Sequence, residues 1–109
     1  MPKSTGIDHV VLETSNTKEL KKFFINVLGL KSYKDYSDEI FLSCGKQKLA
    51  IFKSNRKDIA CNAPTKLNHI AFKVDNLNKM KTKLKKLGYK LDKWDSFRGP
   101  GGIRVQVVK

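Results

Sequence analysis

No run of roughly 18 apolar residues occurs in the chain, so a helical membrane span is excluded. The opening residues, Met1-Pro2-Lys3-Ser4-Thr5-Gly6, hold no apolar signal core, and a cytoplasmic protein is expected. Cysteine is scarce. Cys44 and Cys61 have neither metal-site nor redox-motif spacing, which points to a pair of reduced thiols. Arginine is scarcer than the charge suggests. Of 23 basic residues only Arg56, Arg98 and Arg104 are arginine, against a formal net charge of +13. Sequence-specific nucleic-acid readers lean on arginine forks, and no aromatic-rich strand of the RNA-recognition type is present. Nucleic acid is therefore an unlikely partner. The general positive field suits an anionic small molecule equally well. At 109 residues the chain is one small domain, and burying more surface through a homodimer would help it.

What is present is a repeat. Ile7-Asp8-His9-Val10-Val11-Leu12-Glu13 returns as Leu67-Asn68-His69-Ile70-Ala71-Phe72-Lys73. Each copy reads as a strand with a histidine third, and each leads into a polar turn, a helical pattern and a glycine, Gly29 or Gly88. Each half then need only be one supersecondary unit. Residues 7–14 alternate, placing Ile7, His9, Val11 and Glu13 on one face. Asn16 caps the following helix, with Glu19 at capping-box spacing. Leu20, Phe23, Phe24, Val27 and Leu28 form its apolar stripe. Three strands follow, over 30–35, 39–44 and 48–52, with a Gly45-Lys46 turn, so the first unit reads βαβββ.

A linker is expected over 54–66, between unit one at 5–53 and unit two at 67–109. In the second unit Asn76 caps a helix striped by Leu77, Met80, Leu84 and Leu87. Residues 89–93 and 103–108 read as extended, separated by the turn Arg98-Gly99-Pro100-Gly101-Gly102. In both first strands the apolar face lies opposite the histidine, through Val10 and Leu12, then Ile70 and Phe72. These four are expected beneath the helices, with both histidines facing away from them.

The paired βαβββ units, the Ile-Asp-His-Val-Val-Leu opening, Val27-Leu28-Gly29-Leu30 and the second Leu-Asn-His-Ile-Ala-Phe strand resemble the vicinal oxygen chelate superfamily. This is the group of glyoxalases, bleomycin-resistance proteins and extradiol dioxygenases. The resemblance implies an α+β fold, with tandem βαβββ repeats forming an open, cup-shaped mixed sheet and helices outside. It also implies four ligand positions on the first and last strand of each unit, for a divalent metal such as Zn, Ni, Co, Mn or Fe. His9 and His69 match the first and third. The second falls on Ala50, which cannot ligate.

The fourth position is open. Either the last strand is 104–108 and Gln106 stands where the family has glutamate, or that strand is the penultimate one and the second unit lacks its last. The distance from Gly88 to the chain end favours the second reading. Glu13 is the candidate general base, on the His9 face; Glu39 is the other nearby carboxylate. Tyr33, Tyr36, Phe41, Phe52 and Trp94 are candidates to line a cavity, and Lys73 to meet an anion. The implied function is a metal-assisted isomerase, lyase or thiol transferase on a small oxygen-rich substrate. The alternative is a metal-free small-molecule binder of the bleomycin-resistance type.

Overall fold

The computed structural model describes residues 2–54 and 67–109. Cys61 and all but the first residue of the expected linker lie outside that range. The chain divides into two compact units, within 1–60 and within 61–109.

The first unit runs β1 (His9–Thr14), α1 (Thr17–Asn26), β2 (Lys31–Asp35), β3 (Glu39–Cys44) and β4 (Gln47–Lys53). Its sheet has the order β1-β4-β3-β2, with β1 parallel to β4 and the other pairs antiparallel. Helix α1 starts where it does because Asn16 Oδ1 accepts the Glu19 backbone N–H at 3.1 Å, satisfying a donor that has no partner inside the helix. It ends at a glycine with φ +80°, Gly29, a conformation that costs other residues strain. Leu20, Phe23 and Phe24 are buried against β3 and β4. Ile40, Leu42, Leu49 and Ile51 form the sheet side of that core, each at most 6% exposed.

The second unit runs β5 (Ile70–Lys73), α2 (Leu77–Lys86), β6 (Ser96–Arg98), a 3-10 turn at Pro100–Gly102 and β7 (Arg104–Val108). The sheet order is β5-β7-β6, with β5 parallel to β7 and β6 antiparallel to it. The capping is repeated: Asn76 Oδ1 accepts the Lys79 backbone N–H at 3.0 Å. Leu84 is fully buried, and Phe72, Phe97, Val105 and Val107 are buried on the sheet.

The two units share a pairing scheme. Strand β7 lies parallel to β5 as β4 lies parallel to β1, so β7 is the final strand of its unit. Among the described residues the second unit is one strand short, but the favoured expectation that it lacks its last strand is overturned, because β7 pairs with β5 as β4 pairs with β1 and so carries Gln106 on the final strand. The counterpart it lacks is that of β2. Residues 89–93, expected to be extended, form no ladder, because Asp92 turns the chain. Its Oδ1 accepts the backbone N–H of both Trp94 (2.9 Å) and Ser96 (3.0 Å). Strand β6, read from sequence as the approach to a turn, forms where Phe97 pairs with Val105.

The burial expected beneath the helices holds for Leu12 and Phe72, at 9% and 8% exposed, but Val10 is 36% exposed and Ile70 half-buried. Both sit at the start of an outer strand, and α1 packs chiefly on β3 and β4. The strand starts therefore lie outside the helix footprint.

Candidate ligand-binding site

In the first unit the register puts His9 beside Lys48, Val11 beside Ala50 and Glu13 beside Phe52. Phe41 pairs with Ala50, and Glu39 with Phe52. Side chains alternate across a strand, so this is the face away from the Leu12, Leu49 and Ile51 core. The histidine accordingly points away from α1. Four of the five aromatic candidates meet on this face: Phe41 lies 6.1 Å from Tyr33, 6.2 Å from Tyr36 and 5.9 Å from Phe52, centroid to centroid. Edge and tilted contacts at these distances are favourable for aromatic quadrupoles. Ala50 is 1% exposed, so no open gap stands at that position. Tyr33 and Tyr36 remain well exposed.

His9 is not held alone. Its Nδ1–H donates to Asp8 Oδ1 at 2.9 Å. That bond, followed by the charge of Lys48, holds the Asp8 carboxyl below the usual carboxylate value. A carboxylate only accepts, so the proton sits on Nδ1 and Nε2 keeps its lone pair in the neutral ring. Such an outer partner is what a ligating histidine ordinarily has.

The second unit repeats the arrangement with different atoms. His69 Nδ1 lies 2.8 Å from Asn68 Oδ1. Ala71 pairs with Gln106, and Gln106 with Ser96. Gln106 thus occupies the register position that Ala50 occupies in the first unit. Its side-chain amide donates to the Trp94 carbonyl at 3.0 Å, and the residue is half-buried. Trp94 is 57% exposed, with the Lys93 ammonium 4.5 Å from its ring centroid. Lys73 is exposed at the end of β5.

Beside Gln106 lies a group of residues that sequence reasoning passed over. Arg104 reaches Asn68, Ser96 and Asp92, and the Ser96 hydroxyl donates to Asp92 Oδ2 at 2.7 Å. The Ser96 backbone N–H and hydroxyl, then the Trp94 N–H and the Arg104 charge, lower the Asp92 pKa to about 2. One signal was available: a side-chain oxygen precedes the histidine in both repeats, Asp8 and Asn68.

Among the described residues no three His, Cys, Asp or Glu side chains cluster as a metal group. Glu13 is exposed on β1 and joins no such cluster. An open groove of about 850 Å³ lies on the helix side of the first sheet, bordered by Lys18, Lys21, Lys22, Asp35 and Ile40. None of the expected site residues borders it, and the Lys21–Asp35 pair at 2.6 Å crosses its lining.

The sequence profile of the glyoxalase/bleomycin resistance protein/dioxygenase superfamily matches residues 6–107. The chain belongs to that superfamily. Solved structures agree on the fold. An integron cassette protein from the mobile metagenome of V. cholerae is 20% identical, with TM-score 0.79, over 98% of this chain and 96% of that one. A protein titled lactoylglutathione lyase from Agrobacterium tumefaciens is 22% identical, with TM-score 0.76, over 96% and 93%. A putative glyoxalase family protein from Bacillus anthracis is 22% identical, with TM-score 0.73, over 98% and 96%. At such identities the likeness is one of architecture. Comparison with curated proteins finds no match. No helix among the described residues is long and apolar enough to cross a membrane.

Proposed function

We propose that this superfamily member is a cytoplasmic, homodimeric enzyme acting on a small oxygen-rich molecule with the help of a divalent metal. Isomerase, lyase or thiol-transferase chemistry fits that description. The carrying observation is the state of three donor atoms. His9 and His69 both engage Nδ1 in a hydrogen bond and leave Nε2 with its lone pair. The Gln106 amide nitrogen is taken by Trp94, which leaves its oxygen as the donor. Each of these nitrogens and this oxygen is a neutral, borderline donor of the kind Zn, Ni, Co, Mn or Fe accepts. When bound, such an ion supplies Lewis acidity to substrate oxygens.

The chain's own residues do the rest. Glu13, two residues from His9 on the same face, is the base that takes a substrate proton. The Tyr33, Tyr36, Phe41 and Phe52 rings provide the apolar wall. Exposed Ile7, Val10 and Val11 support pairing of two chains along β1. With Ala50 contributing nothing and no carboxylate among the three donors, affinity is expected to be modest. Calorimetric titration of Zn or Ni into tag-free protein tests the reading. Measurable binding is expected, tightened by Gln106→Glu, which adds a charged oxygen. No binding by either protein would remove it.

A second reading rests on the aromatic face itself. Three rings gathered around Phe41, beside a non-ligating Ala50, suit a metal-free protein that binds a flat or cationic small molecule. In that case, ligand-induced quenching of tyrosine fluorescence survives in the His9→Ala/His69→Ala double variant and is lost in Phe41→Ala.

A further inference from the structure

A guanidinium has five N–H donors and no acceptor. Arg104 Nη1 lies 3.1 Å from the Asn68 side chain, so the atom facing it must be the amide oxygen. That same oxygen lies 2.8 Å from His69 Nδ1. An oxygen offering only lone pairs requires the imidazole proton on Nδ1. A neutral ring has one N–H, so Nε2 is left bare. In the absence of Arg104 nothing in this contact fixes the choice. The Asn68 amide could turn over and donate its NH2 to Nδ1, which would move the ring proton to Nε2 and block it as a donor atom.

Arg104 is itself held. Its Nε and Nη2 donate to Ser96 Oγ at 3.2 and 2.9 Å, and Nη2 lies 3.5 Å from Asp92 Oδ2. Ser96 is 2% exposed and donates its hydroxyl hydrogen bond to Asp92 Oδ2. The same Asp92 turn presents the Trp94 carbonyl to Gln106. A carbonyl only accepts, so the Gln106 nitrogen must face it and the oxygen must face away. In the first unit a carboxylate, Asp8, partners the histidine. It has no second orientation to exclude, and a lysine, Lys48, stands opposite His9.

We infer that Arg104 and Asn68 are positioning residues that set the His69 tautomer with Nε2 unprotonated, and that the Asp92–Ser96 turn sets the Gln106 amide with its oxygen outward. This deepens the ligand reading of His69 and Gln106 above, yet its readout requires no metal.

Long-range 1H–15N NMR of metal-free protein near pH 8.5, about two units above the ordinary histidine pKa, reports each tautomer directly. The wild type should show His69 with its proton on Nδ1. Arg104→Met should move the majority of His69 to the Nε2–H form while leaving His9 unchanged, and Arg104→Lys should restore the wild-type pattern. Asn68→Asp should keep Nδ1–H, and Asn68→Leu should lose it. Asn68 is exposed, so its variants decide the matter if Arg104→Met does not fold. A wild-type tautomer in both Arg104→Met and Asn68→Leu, or Nε2–H in the wild type, would overturn the inference. A tautomer change that leaves Zn affinity untouched would uphold it and reject the ligand role of His69 instead.

Discussion

At the scale of single residues, Asp92 accepts from the backbone of Trp94 and Ser96, from the Ser96 hydroxyl and from Arg104. Its folded pKa of about 2 lies below the roughly 3.9 of an unfolded aspartate. Folding therefore favours the carboxylate. Its contribution is complete above about pH 5 and drains away as pH falls through 4 toward 2. Asp92→Asn removes the charge and one acceptor oxygen, so the variant should be less stable than wild type at pH 7. The gap should close with acidification. Urea midpoints between pH 7 and pH 2 measure it, and a gap independent of pH would show that the carboxylate charge plays no part.

The histidines, Gln106, Ala50 and the aromatics were legible as candidates, because a repeat and a family pattern number them along the chain. The Arg104 network was not. It depends on β7 lying between β5 and β6, which brings together residues as far apart in sequence as Asn68 and Arg104. No local pattern encodes that.

At the scale of elements, both helices were readable, although Leu87, expected in the stripe of α2, is 55% exposed. Asn16 and Asn76 cap them, Gly29 and Gly88 follow them with positive φ, and apolar stripes face the sheets. Asn16→Ala should cost about 1 kcal/mol, a fall in melting temperature of roughly 4–8 °C for a domain of this size. An unchanged melting temperature would mean that the Glu19 N–H finds another acceptor. The strands were less readable where pairing, not composition, makes them. β6 has three residues among turn formers and exists through its register with β7. Residues 89–93 look like a strand, but the Asp92 turn takes over.

The two helices also differ in how they are anchored. α1 buries four residues and α2 only Leu84. Leu84→Ala should cost about 2–5 kcal/mol and loosen the second unit first. Hydrogen exchange should then rise at Phe72, Val105 and Val107 before it rises at Ile40 and Ile51. A uniform rise through both units would show that they unfold as one.

At the scale of the whole molecule, the family places a repeated unit behind both histidines, and the structure gives each unit the same orientation of histidine, helix and final strand. A chain this small, with exposed apolar residues along β1, should sediment as a dimer at tens of micromolar. Val10→Lys should shift it toward monomer. A monomer at every concentration would remove the dimer from the account. The charge of +13 should make association with anionic ligands sensitive to salt.

The central proposal is that His9 and His69, at matching positions of the two repeats, are metal ligands. A double-mutant cycle on Zn affinity, with His9→Ala, His69→Ala and the pair, tests it most directly. The account predicts that either single change weakens binding, with coupled losses for a shared ion and additive losses for separate ions. Undiminished affinity in the double variant would contradict it and show that the histidines hold none.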